Sequence, residues 1–265
     1  MDLGLSGKRA FVSGSTAGIG FAIAEALAAE GATVTINGRT QQRVEAALEQ
    51  LRTKRLPGKL EGVAADLGAE AGARALLQAV PEVDILVNNL GIFEPKPFLE
   101  IPDRDWTRFF EVNVVSGVRL SRAYLPPMLS KNWGRIVFIS SESGLQIPAE
   151  MIHYGVTKTA QLALARGIAE SVAGTGITVN CVLPGPTASE GVGGFVEELA
   201  RSQGKSAELV EQEFFRDMRP SSLIKRFARV EEVASLVAYV CSERASATTG
   251  AALRVDGGVI RAAIG

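Results

Sequence analysis

The chain contains very few residues of the types that bind metals or form disulfides. A single histidine, His153, and two cysteines, Cys181 and Cys241, occur among its 265 residues. One histidine cannot build a histidine-rich metal site, and two cysteines in apolar surroundings give neither a disulfide framework nor metal-ligand spacing. We therefore expect no resident metal and two buried, unreactive thiols.

An excess of charge and long apolar runs are also missing. The 28 basic residues nearly balance the 29 acidic ones, so the net charge is −1. This balance disfavours a nucleic acid or an anionic membrane as a partner. No apolar run is long enough to span a bilayer, and no charged-then-apolar leader opens the sequence. These absences predict a cytoplasmic protein.

Hydrophobic residues make up 46% of the chain, which is enough for one large core. Short apolar runs alternate with amphipathic, alanine-rich stretches, a pattern typical of a parallel sheet covered by helices on both faces. We predict a single domain over residues 1–265 with a doubly wound, seven-stranded parallel α/β sheet, a Rossmann fold. The predicted strands are Arg9–Ser13, Thr33–Asn37, Leu60–Ala64, Ile85–Asn88, Arg135–Ser140, Thr178–Leu183 and Ala252–Val255. The predicted helices are Ile19–Glu30, Gln41–Arg52, Glu70–Val80, Arg104–Leu129, Met151–Ala173 and Glu231–Cys241.

A glycine-rich turn joins the first predicted strand to a helix. Gly14, Gly18 and Gly20 are spaced as GxxxGxG, which differs from the GxGxxG fingerprint. Glycines let the backbone turn sharply beside a pyrophosphate, and the free N–H groups of a helix N-terminus attract it. The turn alone is weak evidence, but its place between strand and helix predicts a dinucleotide phosphate site.

The second predicted strand ends in Asn37, Gly38, Arg39 and Thr40. An acid at this point of a dinucleotide fold binds the ribose 2′-hydroxyl of NAD, whereas an arginine suits the 2′-phosphate of NADP. Asn37 removes the acid and Arg39 supplies a fork-shaped cation. NADP(H) is therefore favoured, with NAD(H) as the alternative.

The stretch Ser141–Lys158 carries groups suited to proton transfer. Tyr154 and Lys158 stand four residues apart, so a helix places them on one face. A nearby ammonium favours phenolate and lowers the pKa of tyrosine from its ordinary value of about 10. Ser141, ahead of the helix, could hold a carbonyl beside the phenol, which predicts acid–base chemistry on a carbonyl or alcohol oxygen. His153 precedes the tyrosine and is expected to be a partly exposed helix residue.

These motifs, taken in order, resemble those of the short-chain dehydrogenase/reductase superfamily in its compact, single-domain type. The resemblance runs from Gly7 to about Gly258. The matching stretches are Ser13–Gly20 for TGxxxGxG, Asn88–Gly91 for NNAG, Asn113 for the helix-four asparagine, Ser141, Tyr154 and Lys158 for the serine and YxxxK, Pro184–Ser189 for PGxxxT, and Val255–Gly258 for VDGG. Ala17 stands where many NADP-dependent members carry a basic residue, which leaves Arg39 to support NADP.

The resemblance implies an NAD(P)-dependent oxidoreductase that moves hydride directly between nicotinamide and substrate. Tyr154 would be the general acid and base, and Lys158 would lower its pKa and bind the nicotinamide ribose. Ser141 would orient the substrate oxygen, and Asn113 would hold a water that links Lys158 to solvent. The cofactor-binding residues so implied are Gly14, Ser15, Gly18, Ile19, Gly20, Arg39, Asp66, Leu67, Asn89, Gly91, Tyr154, Lys158, Pro184, Gly185 and Thr187.

The region 189–228 interrupts the alternation of strands and helices. It opens with SEGVGG and contains two predicted short helices, Phe195–Ser202 and Ala207–Asp217. A long insertion after a strand in a compact domain is usually a lid or a binding segment. We expect it to shape the substrate pocket, with a merely packed helix pair as the alternative.

The substrate itself stays open between several classes. A small ketone, sugar or secondary metabolite competes with a 3-oxoacyl-acyl-carrier-protein. A modest basic cluster, Lys225, Arg226 and Arg229, suits the acidic carrier protein, but five glutamates precede it. A catalytically idle dinucleotide sensor and a related dehydratase or epimerase are the alternatives from other classes. The resemblance also implies a homotetramer, consistent with small residues along the predicted catalytic helix.

Overall fold

The computed structural model describes residues 2–189, 200–202 and 204–263. Its strands in chain order are β1 (Arg9–Val12), β2 (Thr33–Gly38), β3 (Leu60–Ala64), β4 (Ile85–Asn88), β5 (Gly134–Ile139), β6 (Ile177–Pro184), β7 (Thr187–Ala188), β8 (Ala228–Arg229) and β9 (Ala252–Val255). Seven of them form one sheet in the order β3-β2-β1-β4-β5-β6-β9, and every neighbouring pair is parallel. The short strands β7 and β8 pair separately.

Helices connect the strands and cover both faces of the sheet. They are α1 (Gly18–Ala29), α2 (Gln41–Thr53), α3 (Glu70–Ala79), α4 (Asp103–Phe110), α5 (Ser116–Lys131), α6 (Ile152–Ser171), α7 (Ala207–Glu213) and α8 (Val230–Val240). One core cluster joins α1, α2 and α8 to one face, and the other joins α3, α5 and α6 to the opposite face. Neighbouring β1 residues show the division, since Val12 lies in the first cluster and Phe11 in the second.

The predicted fold class is confirmed: the protein has a single-domain, seven-stranded Rossmann-type sheet with helices on both sides. Each predicted strand agrees with the observed strand to within one residue at either end. Apolar runs buried on both faces gave the strands their clear signal. Strands β5 and β6 are buried along their whole length.

The predicted helix Arg104–Leu129 is wrong as one continuous α-helix. Helix α4 ends at Phe110, a π-helical turn occupies Glu111–Val115, and α5 then runs to Lys131. A π turn shifts the hydrogen bonding by one residue and redirects side chains, which apolar periodicity does not reveal. The turn contains Asn113, one of the predicted site residues.

The segment after β6 also differs in detail from the prediction. The predicted helix Phe195–Ser202 lies outside the described residues except for the helical residues 200–202. The predicted helix Ala207–Asp217 is α7 followed by a π-helical turn, Phe214–Met218. The parallel pairing of β7 with β8 brings the two ends of this segment together.

The direction of strand order reverses between β1 and β4. From β1 the chain continues outward through β2 and β3, whereas β4, β5, β6 and β9 extend the other way. In open parallel sheets, ligands bind at the carboxyl ends of the strands beside such a reversal. The glycine-rich turn after β1 and the residues Asn89 and Leu90 after β4 meet at this point.

At the opposite end of the sheet, a buried arginine ties several segments together. Arg135 on β5 is 1% exposed. It donates hydrogen bonds to the carbonyl oxygens of Ser242 at 3.2 Å, Gly134 at 2.9 Å and Gly176 at 3.0 Å. Its guanidinium also lies over the Trp133 ring, 4.5 Å from the centroid. A planar group with several donors is needed to satisfy this arrangement.

Replacing this guanidinium should test its contribution to stability. We expect Arg135→Lys to lower the free energy of unfolding by about 3 kcal/mol, because the ammonium cannot reach all three carbonyls and leaves a poorly satisfied buried charge. Arg9→Lys is the matched control, since Arg9 begins β1 and pairs with the exposed Glu82. It should cost less than about 1 kcal/mol. Urea unfolding at one protein concentration measures both, and equal losses would contradict the assignment.

Candidate active site

The glycine-rich turn packs closely against the end of β4. The Asn89 amide donates to the carbonyl oxygens of Ser13 at 3.0 Å and Gly14 at 2.9 Å. A Cβ on Gly20 would lie 2.4 Å from Asn89 Nδ2, so no other residue fits there without a shift. Gly18 begins α1 at φ +58°, a conformation that favours glycine. The turn therefore presents backbone N–H groups at the helix start beside the strand reversal.

Serine hydroxyls support the same turn from beneath. Ser15 is fully buried; its Oγ donates to the Val12 carbonyl at 2.6 Å and accepts from Asn37 N at 2.9 Å. Ser13 Oγ accepts from the backbone N–H groups of Asn89 at 2.9 Å and Leu90 at 3.0 Å. The Ser15 hydroxyl and the Ser15 N–H, which donates to the Asn37 carbonyl at 2.8 Å, thus both serve the fold.

A cleft of about 200 Å³ opens where β1, β2, β3 and β4 end. Its lining includes the predicted residues Gly14, Arg39, Asp66 and Leu67. Arg43, from the first turn of α2, lines it as well. Two exposed arginines therefore flank one concave surface beside the glycine-rich turn, which suits a phosphate group.

Asn37 has a structural role that the sequence did not indicate. The side chain is buried, and its Oδ1 accepts from Gly14 N at 3.2 Å. Its Nδ2 donates to the carbonyl oxygens of Val63 and Ala65, each at 3.1 Å. Asn37 thus joins the ends of three strands at the cleft that it helps to line.

Residues after β4 and β6 form the other end of the crevice. Gly91 faces the catalytic helix, because a Cβ built on it would lie 3.5 Å from Lys158 Nζ. Pro184 ends β6, and Gly185 packs against the backbone of Asp256. Thr187 is buried, and its Oγ1 donates to the Gly185 carbonyl at 2.9 Å.

Lys158 holds a buried ammonium at the end of β5. The residue is 4% exposed, and Nζ donates to the Ile139 carbonyl at 2.8 Å and to Gln161 Oε1 at 3.2 Å. Burial lowers the pKa of this amine to about 8, against opposing effects of Cys181 and Glu142. Near neutral pH the ammonium is therefore within reach of giving up its proton.

Tyr154 lies on the same face of α6 as Lys158. The Lys158 Nζ is 5.6 Å from the centroid of the phenol ring, and Phe93 covers the ring edge-on at 6.4 Å. The expected lowering of the tyrosine pKa is not found among the protein's own groups. Burial raises the pKa of Tyr154, the Glu142 charge adds to the rise, and a hydrogen bond with Ser141 opposes it.

Asn113 connects the π turn to the catalytic helix. Its Oδ1 accepts from Ile92 N at 2.8 Å, and its Nδ2 donates to the Ile92 carbonyl and to Thr157 Oγ1, each at 3.0 Å. Its main-chain carbonyl accepts from Gln161 Nε2 at 2.6 Å. The Gln161 amide therefore bridges Lys158 and the Asn113 carbonyl.

The predicted catalytic residues Asn113, Ser141, Tyr154 and Lys158 come together around α6 and the end of β5. The structure adds neighbours that the sequence reasoning missed, namely Arg43, Glu142, Gln161 and Arg219. Gln161 could have been noticed three residues after Lys158, on the same helix face. Arg219 had no local signal, because its partner Glu142 lies 77 residues earlier.

The residues that the structure describes contain no group of three or more histidine, cysteine, aspartate and glutamate side chains that could hold a metal ion. Among these same residues, every helix is too short or too polar to traverse a lipid bilayer.

Comparison with known proteins places this site in a family. The family model described as short chain dehydrogenase matches residues 8–199. The uncharacterized oxidoreductase YvaG of Bacillus subtilis (strain 168) is 49% identical over 98% of this chain and 99% of its own. The 3-oxoacyl-[acyl-carrier-protein] reductase FabG of Aquifex aeolicus (strain VF5) is 34% identical over 98% and 100%. L-sorbose reductase from Gluconobacter frateurii, complexed with NADPH and L-sorbose, superposes with a TM-score of 0.94 at 33% identity, over 99% and 100%.

The chain belongs to the short-chain dehydrogenase family. It is an oxidoreductase of the type that acts on alcohol and carbonyl groups, as expected from its motifs. The expectation of a nicotinamide dinucleotide cofactor is confirmed at the level of the family. The roles of individual site residues stay predictions.

His153 is buried, so its expected partial exposure is wrong. It is 0% exposed, and its ring packs against Phe109 at 4.0 Å and Trp106 at 6.1 Å between centroids. Within the described chain neither ring nitrogen has a hydrogen-bond partner. Helix α4 covers this face of α6, and such packing between helices does not show in a one-dimensional pattern. Burial lowers the pKa of His153, with Glu94 and Asp105 opposing and Lys96 and Arg108 adding to the shift.

This histidine should make the fold sensitive to mild acid. Because its pKa is lowered on folding, the unfolded chain takes up a proton below about pH 6.5 that the folded chain resists. The free energy of unfolding should therefore fall with decreasing pH, by at most about 1.4 kcal/mol per pH unit. His153→Leu should lose less stability than the wild type between pH of about 7.5 and 5.5. Urea unfolding at both pH values measures this, and identical losses would contradict it.

Proposed function

We propose that the protein is an NADP(H)-dependent reductase or dehydrogenase of a small-molecule carbonyl/alcohol pair, with Tyr154 as general acid and base. The observation that carries the proposal is the cluster of Ser141, Tyr154 and Lys158 at the carboxyl end of β5, facing Gly91. An idle dinucleotide sensor has no need of a buried ammonium beside a phenol, since a buried charge destabilises the fold.

In the proposed reduction, bound NADPH supplies the hydride to the carbonyl carbon. The protein supplies the proton, and the raised pKa of Tyr154 keeps its phenol protonated at neutral pH. Ser141 Oγ holds the carbonyl oxygen beside the phenol, and the Tyr154 proton passes to that oxygen as the alcohol forms. The reverse steps oxidise an alcohol.

Lys158 is positioned to support the phenol after each turnover. With a pKa of about 8 its ammonium exchanges protons near neutral pH, and its charge favours the phenolate once that has formed. Gln161 holds the amine by accepting from Nζ and donating to the Asn113 carbonyl. Asn113 in turn fixes Ile92, next to Gly91. Lys158, Gln161 and Asn113 are thus connected by hydrogen bonds beside Tyr154.

The cofactor proposal rests on the two arginines of the cleft. Arg39 and Arg43 flank the surface between the glycine-rich turn and Asp66. Their guanidinium groups fit the extra phosphate of NADP better than a free ribose hydroxyl. The similar L-sorbose reductase is described as a complex with NADPH, which supports this choice.

A 3-oxoacyl-carrier-protein reductase is the second candidate, favoured by the similarity to FabG. The basic cluster expected to meet an acidic carrier is weak, however. Arg226 forms two hydrogen bonds with Glu232, at 2.9 and 2.8 Å, and Arg229 lies 3.9 Å from the same carboxylate. Paired charges attract a carrier less than free ones, so a small free carbonyl compound is the better proposal.

A homotetramer and a cytoplasmic location complete the proposal. The tetramer is supported by the small residues Ala160, Ala163 and Gly167 on the outer side of α6. A Cβ on Gly167 would meet nothing within 4 Å, so this stripe leaves room for a second helix to approach. The location rests on the sequence alone.

Removing the phenol oxygen tests the general acid. Tyr154→Phe should lower kcat/KM for carbonyl reduction by at least about 1,000-fold, within the range of general acid–base catalysis. NADPH affinity, measured by fluorescence titration, should change little because the ring remains. Tyr239→Phe is the matched control, because the Tyr239 side chain is exposed on α8, and it should retain activity. Comparable activity of Tyr154→Phe and wild type would contradict the role of Tyr154 as general acid.

Removing one guanidinium tests the cofactor choice. Arg39→Ala should weaken NADPH binding by roughly 10- to 100-fold, the size of a lost charge-assisted hydrogen bond. NADH, which lacks the phosphate, should be affected less than about 3-fold. Arg52→Ala, at the exposed far end of α2, is the matched control. Dissociation constants for both cofactors decide the matter, and equal losses would show that Arg39 does not read the phosphate.

A further inference from the structure

A buried carboxylate lies beside Ser141 and is not used in the proposed reaction. Glu142 is 6% exposed, and its Oε2 accepts a hydrogen bond from Ser141 Oγ at 2.5 Å. Ser141 Oγ also accepts from Ser143 N at 3.1 Å. The single hydroxyl proton of Ser141 is therefore directed at Glu142.

A buried guanidinium holds this carboxylate from the other side. Arg219 is 9% exposed, and its Nε donates to Glu142 Oε1 at 3.3 Å. Its Nη1 donates to Glu150 Oε1 at 3.1 Å. One cation thus pairs with two carboxylates, so these three side chains together carry a net negative charge on this side of Ser141. Arg219 follows the π turn Phe214–Met218, within the predicted pocket-shaping segment.

Substrate binding changes the hydrogen bonding of Glu142. To hold a substrate carbonyl, Ser141 must turn its proton from Glu142 Oε2 to the substrate oxygen. The buried carboxylate oxygen then lacks a donor, which is costly away from water. A hydroxyl group next to the substrate carbonyl supplies the missing donor. A plain ketone does not, and a carboxylate in that place is repelled.

Resting on the proposed function, we propose that Glu142 determines specificity by accepting a hydrogen bond from a substrate hydroxyl adjacent to the reacting carbonyl. The site then selects neutral hydroxylated carbonyl compounds over plain ketones and oxo acids. Arg219 is a positioning residue that holds the Glu142 carboxylate in place. The carboxylate faces Ser141, Tyr154 and Lys158 on one side and Arg219 on the other.

Three methyl ketones of similar size separate this role from a general structural one. Hydroxyacetone carries the hydroxyl, butanone replaces it with a methyl group, and pyruvate places a carboxylate there. Wild-type kcat/KM with NADPH should be highest for hydroxyacetone. Glu142→Gln should lower it by roughly 10-fold or more, change butanone by less than about 3-fold, and raise pyruvate.

Glu150→Gln is the matched control, because it removes the other carboxylate on Arg219 and leaves Glu142 charged. It should leave the ratio of hydroxyacetone to butanone within about 2-fold of wild type. Glu142→Asp keeps the charge but, with its shorter side chain, moves it away from Ser141. It should also reduce the ratio of hydroxyacetone to butanone. NADPH binding by each variant, measured separately, verifies the fold.

Arg219→Met gives an independent readout. Without the guanidinium, the Glu142 carboxylate lacks the donor that holds it beside Ser141, so the ratio of kcat/KM for hydroxyacetone to that for butanone should fall by roughly 10-fold. Arg216→Met, which removes an exposed arginine of the same π turn paired with Asp217, should show the wild-type ratio. A ratio for Arg219→Met equal to that of wild type would overturn the positioning role.

The outcomes distinguish the two proposals. Equal losses for hydroxyacetone and butanone in Glu142→Gln would overturn the specificity role, since Glu142 would then only orient Ser141. Wild-type protein that binds NADPH but reduces none of the three ketones would overturn the proposed function and this inference with it. Selective loss of hydroxyacetone turnover supports both.

Discussion

The site depends on keeping one positive charge inside the protein. The Lys158 ammonium is removed from water, and such a charge destabilises a fold unless hydrogen bonds surround it. The Ile139 carbonyl at the end of β5 and the Gln161 side chain on α6 provide them. Gln161 continues the chain of contacts to the π turn through the Asn113 carbonyl. Sheet, catalytic helix and π turn are thus held in one arrangement by the need to satisfy this amine.

The same burial shifts the pKa values of the two predicted catalytic side chains in opposite directions. Desolvation lowers the pKa of the Lys158 amine and raises that of the Tyr154 phenol. A phenol that keeps its proton at neutral pH can donate it, and an amine that exchanges protons readily can help to restore it. The buried carboxylate of Glu142 adds to the rise in the pKa of the phenol and opposes the fall in the pKa of the lysine. The acid–base behaviour therefore arises from the whole cluster rather than from the YxxxK pair alone.

Much of the fold could be predicted because its signals are local. Apolar runs bounded by turns identified all seven strands of the sheet, and the order of Gly14, Gly18 and Gly20 located the turn after β1. The π turn at Glu111–Val115 escaped prediction because one additional residue in a helical hydrogen-bond ring leaves no compositional mark. The burial of His153 was missed because the cover comes from α4, whose packing depends on tertiary structure.

The residues of the candidate site also fall into those with a local sequence signal and those without one. Residues in short motifs, such as Ser141, Tyr154 and Lys158, were found from spacing and from the family resemblance. The pairing of Glu142 with Arg219 was not, because it joins positions 77 residues apart, and a lone glutamate or arginine in sequence carries no sign of its partner. The structural role of Asn37 was also missed. The sequence showed only that no acid stands there, whereas the structure shows an amide committed to three strand ends.

The pairing of β7 with β8 has a consequence for how such a protein can diverge. The two strands bring the ends of the intervening segment together at the margin of the sheet, so the entropy of closing that loop is largely fixed before its contents matter. Substitutions between them leave the order of the seven-stranded sheet unchanged, but they reach Ser141 through Arg219, whose guanidinium holds Glu142. The surroundings of Ser141 can therefore change while the hydrogen bonds of Lys158 do not.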